Sequence, residues 1–294
     1  MLSTITAFQR YQEILHRMPS AHTSKPMQDI GSLNDISNSV GAFVFDAFGV
    51  LNVGETLIEG ADQRLLELRE QGNHIRILTN AASYDRAGAV NKFDRLGLEI
   101  DPSEIITSRD AALDALTPGT WGVIAAPEDS LTDIENETIR LEDEAAPYDI
   151  VDGFLFLSSS GWSVAKQKTL ETALKRRARS VLIANADLVA PRENGFSLEP
   201  GYFGHLIVDA GVQDVRFFGK PFPEVYRLAE KSLTDLDPHN IVMCGDTLHT
   251  DILGAAARNW RTVLVTKDGM FSGHDTKLFC DKSGIFPDWR VERI

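Results

Sequence analysis

Short apolar segments alternate with amphipathic segments along most of this 294-residue chain, and this alternation constrains the fold more than any other feature. Apolar runs occupy residues 42–45, 74–79, 241–245 and 261–265, and segments with helical spacing of apolar residues lie between them. The helical segment 61–72 ends at a glycine, which commonly terminates a helix. Short apolar strands that alternate with helices are typical of a parallel sheet covered on both faces. The sequence therefore predicts an α/β fold with a doubly wound parallel sheet.

The middle of the chain shows its own set of strand-like and helix-like segments, interrupted by a strongly acidic stretch between residues 128 and 152. A chain of this length has room for about two domains. We therefore expect an α/β cap domain inserted into the doubly wound core. The predicted parts are an N-terminal helix and linker (1–40), a core domain (41–84 plus 206–282), a cap domain (85–205) and a C-terminal tail (283–294).

Composition excludes several classes of function. The net charge is −14, and no basic patch of the kind that binds nucleic acid is present. Cys244 and Cys280 are too few for a disulfide framework and lack the spacing of a zinc site, which fits a reducing compartment. The first residues lack the pattern of a secretory signal, and no apolar run approaches the roughly 18 residues that span a membrane. We expect a cytoplasmic protein without nucleic-acid or membrane partners.

Polar residues stand at the ends of four predicted core strands: Asp46, Thr79 with Asn80, Lys220 and Asp246. A single aspartate in such a place is usually a helix cap or a turn residue, and a single lysine is usually a surface charge. In an open parallel sheet, however, the carboxyl ends of the strands face one crevice, where ligands bind. The joint pattern therefore predicts a binding site at this edge of the core sheet.

These residue types suit phosphoryl transfer. Asp46 can attack phosphorus and form an acyl phosphate, while Lys220 and the Thr79 hydroxyl meet the negative charge of the transferred group. Two carboxylates from different strands, Asp46 and Asp246, suit a hard ion such as Mg²⁺. Asp251 follows one helical turn later and can support the metal or orient Lys220.

Four motifs carry a resemblance to a known family: DAFGV (46–50), ILTN (77–80), GKPFPEVY (219–226) and GDTLHTDI (245–252). In this order they resemble the four motifs of the haloacid dehalogenase-like (HAD) hydrolase superfamily. More narrowly, the chain is similar to the class IIA branch, the nitrophenylphosphatase-like and NagD-like phosphatases with a large inserted cap. The resemblance covers about residues 42–269, and the N-terminal forty residues lie outside it.

The resemblance implies a Rossmann-like core, Mg²⁺ as cofactor and a small phosphorylated metabolite as substrate. It gives the residues above the same roles, with Asp46 as nucleophile and metal ligand, Asp246 and Asp251 at the metal, and the Phe48 backbone carbonyl as a further ligand. It also implies that the cap closes over the substrate and that a homodimer can form through the caps. Contacts to the substrate are expected from Gly49, Val50, Asn80, Asn185 and Asp187.

Phe48 departs from the phosphatase pattern at the residue two positions after the nucleophile. There the family's phosphatases have an aspartate that protonates the leaving oxygen, and a phenylalanine cannot move a proton. Such general acid help is typically worth about 10² to 10⁴ in rate. His249, between Asp246 and Asp251, is a candidate donor, although a histidine there is more commonly exposed or in contact with the cap.

Three interpretations of Phe48 follow. The first is a phosphatase that works slowly, uses another donor or prefers substrates with good leaving groups. The second is a metal-independent 2-haloacid dehalogenase, because an aromatic residue at this place also marks that branch and halide leaves without a proton. The third is a HAD-fold ligand-binding protein with weak or lost catalysis. The apparent metal site favours the first, and we expect aryl phosphates to react far faster than alkyl phosphates.

Overall fold

The computed structural model describes residues 3–23, 26–192 and 195–294. The predicted N-terminal segment (1–40) and the predicted cap (85–205) contain the six other positions, and for those positions the predictions lie outside the described residues. In chain order, the strands are β1 (Gln28–Asp29), β2 (Ala42–Phe45), β3 (Asn52–Val53), β4 (Thr56–Leu57), β5 (His74–Thr79), β6 (Ile105–Thr107), β7 (Thr120–Ile124), β8 (Glu137–Arg140), β9 (Gly153–Phe156), β10 (Ser180–Ile183), β11 (Val189–Arg192), β12 (Gly195–Leu198), β13 (Val215–Phe217), β14 (Ile241–Gly245), β15 (Arg261–Val265) and β16 (Trp289–Val291).

Ten α-helices lie between the strands in the described part of the chain. They are α1 (Thr4–Ile14), α2 (Ala61–Glu70), α3 (Arg86–Arg95), α4 (Ser108–Leu113), α5 (Ala146–Ile150), α6 (Val164–Arg176), α7 (Pro200–Asp209), α8 (Pro223–Lys231), α9 (Leu253–Ala256) and α10 (Thr276–Ser283). One π-helical turn, Leu248–Ile252, leads into α9. None of the helices described here has the length and apolar character to cross a bilayer.

The larger sheet has seven parallel strands in the order β1-β16-β15-β14-β2-β5-β6. From strand β2 the chain continues to β5 and β6 on one side, and it later returns to β14, β15 and β16 on the other. The strand order therefore reverses between β2 and β14. In such sheets the ligand crevice lies at the carboxyl ends of the two strands that flank the reversal.

Alternate side chains of β2 explain why both faces of this sheet are covered. Phe43 and Phe45 point to one face and pack with the apolar residues of α2 and α3. Ala42 and Val44 point to the other face, where residues of α8 cover them. All four residues are fully buried. A strand buried on both faces reads as a continuous apolar run, which is how these residues appear in the sequence.

The smaller sheet has five parallel strands in the order β13-β10-β9-β7-β8, and it forms the centre of the inserted cap. Two antiparallel hairpins, β3–β4 and β11–β12, stand apart from both sheets. An α/β fold of parallel sheets with an inserted cap is confirmed.

The strand pairing corrects the predicted boundaries at four places. Strand β13, predicted for the core, pairs with β10 of the cap sheet. Strand β6, predicted for the cap, pairs with β5 of the core sheet, and β1 and β16 extend the core sheet from the predicted linker and tail. Apolar periodicity identifies a strand but does not specify which sheet edge it joins. The partition into separate domains stays a prediction.

Candidate active site

Three carboxylates meet at the carboxyl ends of β2 and β14. Asp46 follows β2 directly, and its N–H donates to the Cys244 carbonyl at 2.9 Å. Asp246 follows β14, and Asp251 lies in the π-helical turn. One carboxylate oxygen from each of the three lies within 4.8 Å of the others. The sequence prediction that these residues converge therefore agrees with the geometry.

Two glycines make this close approach possible. A side chain at Gly245 would place its Cβ 2.2 Å from Cβ and Cγ of Asp251. Gly49 has φ of +78°, in the left-handed region, and a Cβ there would lie 2.5 Å from Oδ2 of Asp246. Only glycine fits both the backbone conformation and the space at position 49.

Lys220 is the cation of the site. Its Nζ lies 2.6 Å from Oδ1 of Asp46 and 2.7 Å from Oδ1 of Asp251, and its side chain is only 1% exposed. Burial lowers the pKa of Lys220, but the neighbouring carboxylates of Asp251 and Asp46 more than offset that effect and hold the pKa above its usual value. The neighbouring carboxylates therefore favour the charged form of Lys220.

The other two carboxylates of the cluster, Asp246 and Asp251, lie where burial and neighbouring negative charge disfavour their ionised forms. Burial, followed by the negative charges of Asp251 and Asp46, raises the pKa of Asp246. Asp246 accepts hydrogen bonds from the Met270 N–H at 2.6 Å and the Thr247 hydroxyl at 2.9 Å. Burial and the charge of Asp46 also raise the pKa of Asp251, against the opposing effect of Lys220.

The cluster fits a divalent cation. If all three carboxylates were ionised, the one ammonium of Lys220 would leave two negative charges uncompensated, and a divalent cation would balance them. Hard ions such as Mg²⁺ prefer carboxylate oxygens. Phe48 lies in the turn directly after Asp46, and the role of its carbonyl as a ligand stays a prediction.

Thr79 ends strand β5, Asn80 follows it directly, and both residues line the cavity. The Asn80 side chain accepts from the Lys220 N–H at 2.6 Å and donates to the Lys220 carbonyl at 3.0 Å and to Oδ1 of Asp187 at 2.9 Å. Since Asn80 is occupied by these partners, the structure favours a positioning role for it over the predicted substrate contact.

Gly49 and Val50 are predicted to contact the substrate, and this stays a prediction, although the N–H groups of both residues face backbone carbonyls of the turn. The Gly49 N–H donates to the Asn52 carbonyl at 2.8 Å, and the Val50 N–H points to the Ala47 carbonyl at 3.4 Å. Both groups close the tight turn after Asp46. The two N–H groups are bonded within the turn because the chain reverses direction over only a few residues.

The cap contributes Asn185 and Asp187 to the same cavity. Oδ1 of Asn185 accepts from the Asp187 N–H at 2.9 Å, and its Nδ2 donates to Glu199 at 3.1 Å. Burial, followed by the charges of Asp46 and Asp251, raises the pKa of Asp187 well above its usual value despite Lys220. Both predicted residues therefore lie at the site, although a substrate contact for either stays a prediction.

The cavity between core and cap has a volume of about 80 Å³. Pockets for drug-sized ligands typically have about 300–1,000 Å³. In this conformation the site therefore has room for a small group only. Besides the residues already described, its lining includes Glu55, Ser83, Tyr84, Val189, Ala190, Pro191, Arg192, Glu199, Thr247 and Thr250.

Two cations flank the Phe48 ring. Nζ of Lys92 lies 3.8 Å from the ring centroid, and Cζ of Arg192 lies 5.1 Å from it. Lys92 is 3% exposed, and burial lowers its pKa to about 8. Cations over an aromatic face are attracted by its negative π-system. Position 48 therefore lies in a positively charged environment.

The sequence interpretation missed Lys92, Arg192, Glu55 and Glu199. A signal existed for Lys92, because it lies three residues after Ala89 on the buried face of α3. Lysine in the last turn of a helix is common for electrostatic reasons, so its presence there does not by itself indicate a site. Glu55 and Arg192 belong to short hairpins, for which sequence periodicity gives no orientation.

His249 was a candidate proton donor, and the structure rules out that role. Its ring is fully buried, stacks on Tyr11 at 4.9 Å between centroids and contacts Gln12 through Nε2 at 2.7 Å. Burial lowers the pKa of His249 to about 3, and the ring does not line the cavity. It faces the N-terminal helix because the π-helical turn directs Asp251, two residues later, into the site.

Comparison with known proteins gives consistent results. A family model described as haloacid dehalogenase-like hydrolase matches residues 43–130, and one described as HAD-hydrolase-like matches residues 217–288. The chain is 25% identical over 257 residues to an acid sugar phosphatase of Staphylococcus saprophyticus, covering 86% of this chain and 95% of that protein. It is 25% identical over 291 residues to the glycerol-3-phosphate phosphatase of Rattus norvegicus, covering 87% and 89%.

Among solved structures, a possible sugar phosphatase of the HAD superfamily from Cytophaga hutchinsonii superposes with a TM-score of 0.80. The two chains are 24% identical, and the match covers 91% of this chain and 98% of the other. At this identity the likeness establishes the shared fold.

Proposed function

The chain belongs to the haloacid dehalogenase-like hydrolases, in the NagD-like class IIA branch, and on this premise we propose that it hydrolyses small phosphomonoesters. One observation carries the proposal. The buried Lys220 ammonium contacts both Asp46 and Asp251, and an oxygen of Asp246 belongs to the same cluster. A nucleophile, a fixed positive charge and a cation-binding carboxylate set therefore lie within one small cavity.

In the proposed first step, an Asp46 oxygen attacks phosphorus, the new P–O bond forms, and the bond to the ester oxygen breaks. The ester oxygen leaves with the electron pair of the broken bond. Lys220 and the Thr79 hydroxyl stabilise the negative charge on the transferred phosphoryl group. Water then attacks the aspartyl-phosphate, which releases inorganic phosphate and regenerates Asp46.

Asp46, Asp246 and Asp251 would hold a Mg²⁺ ion, with the Phe48 carbonyl as a further proposed ligand. When bound, the ion supplies additional positive charge for the phosphoryl oxygens. Asp251 also holds Lys220 at 2.7 Å, and this contact fixes the ammonium beside the nucleophile.

Small polyol phosphates are the proposed substrate class. Of the relatives at 25% identity, one is named an acid sugar phosphatase and another a glycerol-3-phosphate phosphatase. The cavity lining includes Glu55, Ser83, Tyr84 and Arg192, whose side chains have hydrogen-bond donors and acceptors that suit hydroxyl groups. A cytoplasmic location and a homodimer through the caps stay predictions.

We expect Mg²⁺-dependent phosphate release from p-nitrophenyl phosphate, at a rate at least about 10² times that for glycerol phosphate. The nitrophenolate leaves without a proton, whereas an alkoxide needs one that Phe48 cannot supply. The measurement compares both esters and a 2-haloacid, each with Mg²⁺ and with EDTA.

Similar rates on the aryl and alkyl esters would contradict this account of Phe48. Halide release in EDTA would identify a dehalogenase instead. If neither phosphate nor halide is released although Mg²⁺ still binds, the protein is a ligand-binding member of the fold.

Phe48→Asp tests the charge around this position. From sequence alone, the restored acid is expected to raise the rate on alkyl phosphates. In the structure, Lys92 Nζ lies 3.8 Å from the ring centroid, and an opposite charge at such distance lowers an aspartate pKa by about 1–3. We therefore expect less than about a tenfold gain from Phe48→Asp, because the new carboxyl stays ionised.

The double variant Phe48→Asp/Lys92→Met should give a clearly larger gain on glycerol phosphate, and Lys92→Met alone is its control. The pH profile of turnover reports the pKa of the new acid, which should be higher in the double variant. A full gain from the single variant would show that Lys92 does not control this position.

A further inference from the structure

The N-terminal helix α1 lies at the junction between the core and the cap, and none of the family motifs includes it. Its buried apolar residues are Ala7, Phe8, Tyr11 and Ile14. They form one apolar cluster with Leu248, Ile252 and Met270 from the core and with Leu188 and Val189 from the cap. One face of this helix therefore contacts both parts of the molecule at once.

On the core side, α1 contacts the segment at Met270, which binds Asp246, and the π-helical turn that carries Asp251. The Thr4 hydroxyl donates to the Met270 carbonyl at 3.0 Å, and the Met270 N–H in turn donates to Asp246 at 2.6 Å. Tyr11 stacks on His249 with an angle of 11° between the rings, and His249 belongs to the same π-helical turn as Asp251.

On the cap side, Tyr11 holds the segment that carries Asp187. Its hydroxyl oxygen accepts from the Leu188 N–H at 3.0 Å, and this hydrogen bond is buried. Leu188 is flanked by Asp187 and Val189, which both line the cavity. The Tyr11 side chain thus contacts both the π-helical turn that carries Asp251 and the cap segment that carries Asp187.

A second link lies farther from the cavity. Arg10 and Arg17 both pair with Asp209 at the end of α7, and the Arg17 contact measures 2.6 Å. Arg17 also points to the carbonyl of His205 in the same helix, at 3.4 Å. Charge and hydrogen bonding therefore tie α1, through Arg10, and the turn that follows it, through Arg17, to the cap.

We propose that α1 is a clamp between core and cap and that Tyr11 is a positioning residue, which sets Asp187 relative to the carboxylate cluster through the Leu188 N–H. The catalytic part of this inference rests on the proposed phosphatase function. A small displacement of a positioning group can cost about 10² in rate, because reacting groups must be closely aligned.

Tyr11→Phe removes only the hydroxyl and leaves the ring stacked on His249. We expect kcat/KM for p-nitrophenyl phosphate to fall about 10- to 100-fold. The matched control is Tyr148→Phe, which removes a buried hydroxyl that donates to the Glu142 carbonyl at 2.9 Å inside the cap. Both variants should lose similar melting temperature, but only Tyr11→Phe should lose catalytic efficiency.

Asp209→Asn tests the second link, with Asp149→Asn as its control. Asp149 pairs with Arg176 at 2.9 Å on the cap surface and has no contact with α1. Asp209→Asn should raise KM several-fold with a smaller change in kcat, because the cap is held less firmly over the substrate. Asp149→Asn should leave both constants unchanged.

Hydrogen exchange makes the clamp testable without enzyme activity. In Tyr11→Phe the Leu188 N–H loses its acceptor, and its exchange should become about tenfold faster than in the native protein or in Tyr148→Phe. An inactive native protein would refute the phosphatase proposal but leave this readout intact. Unchanged exchange of Leu188, or equal activity of Tyr11→Phe and Tyr148→Phe, would overturn the clamp.

Discussion

Asp46→Asn should reduce phosphate release from p-nitrophenyl phosphate by about 10⁴-fold or more, because an amide cannot form the acyl phosphate. The fold should persist, since Lys220 keeps its 2.7 Å contact with Asp251. The measurement is turnover with Mg²⁺, together with rapid acid quench and mass spectrometry of the protein. The native protein should show a phosphoryl adduct, and the variant should show none.

Asp62→Asn is the matched control for this change. Asp62 is exposed in the first turn of α2 and is not part of the cavity lining, and its replacement alters the net charge by the same amount. It should retain native turnover. If Asp46→Asn kept more than a few per cent of the native rate, or if the adduct formed on another residue, Asp46 would not be the nucleophile.

Lys220→Met is expected to lower kcat by about 10²–10³-fold, the usual cost of removing a group that stabilises charge in a transition state. Methionine has a similar length but no charge. It also leaves Asp46 and Asp251 without their shared cation, and breaking a buried ion pair typically destabilises the fold by about 3–5 kcal/mol. Both effects are large because Lys220 is almost fully buried.

The loss of stability in Lys220→Met should depend on pH. Burial already raises the pKa of Asp246 and Asp251 in the folded protein, and removal of Lys220 raises the pKa of Asp251 further. A carboxyl group with a raised folded-state pKa destabilises the fold as pH rises above the unfolded value of about 4. The deficit relative to the native protein should therefore be smaller at pH 5 than at pH 8.

Thermal unfolding in EDTA at the two pH values measures this difference. Lys267→Met is the control, since Lys267 is half exposed and pairs with Glu292 at the surface. A deficit that is equal at both pH values would show that Lys220 does not offset the carboxylate charges.

Lys220 lies beside Asp46 and Asp251, although the strand that precedes it joins a different sheet from the one predicted. The prediction placed it at the end of a core strand, but the preceding strand β13 belongs to the cap sheet. Its backbone is nevertheless held at the core sheet by the Asn80 side chain, at 2.6 and 3.0 Å. The residue type and its order along the chain were informative, and the sheet assignment was not.

For Phe48 and His249, the sequence identifies the residue but does not reveal what surrounds it. The substitution at position 48 is visible in the sequence, but its surroundings are not, because Lys92 lies 44 positions later and Arg192 lies in a cap hairpin. His249 falls between two site carboxylates in the sequence, yet its ring is buried against α1. Neighbours in sequence share a segment, but they need not point in the same direction.

The sequence by itself determined the alternation of strands and helices, the parallel core and the polar residues at the strand ends. The reason is that the spacing of apolar residues and the glycines that end helices are properties of short segments. Only the tertiary structure decided which sheet β13 joins, what surrounds Phe48 and where α1 packs. Those arrangements depend on packing and hydrogen bonds between segments far apart in the chain. The free energy of each of these contacts depends on residues in two or more segments, so the sequence of one segment does not predict it.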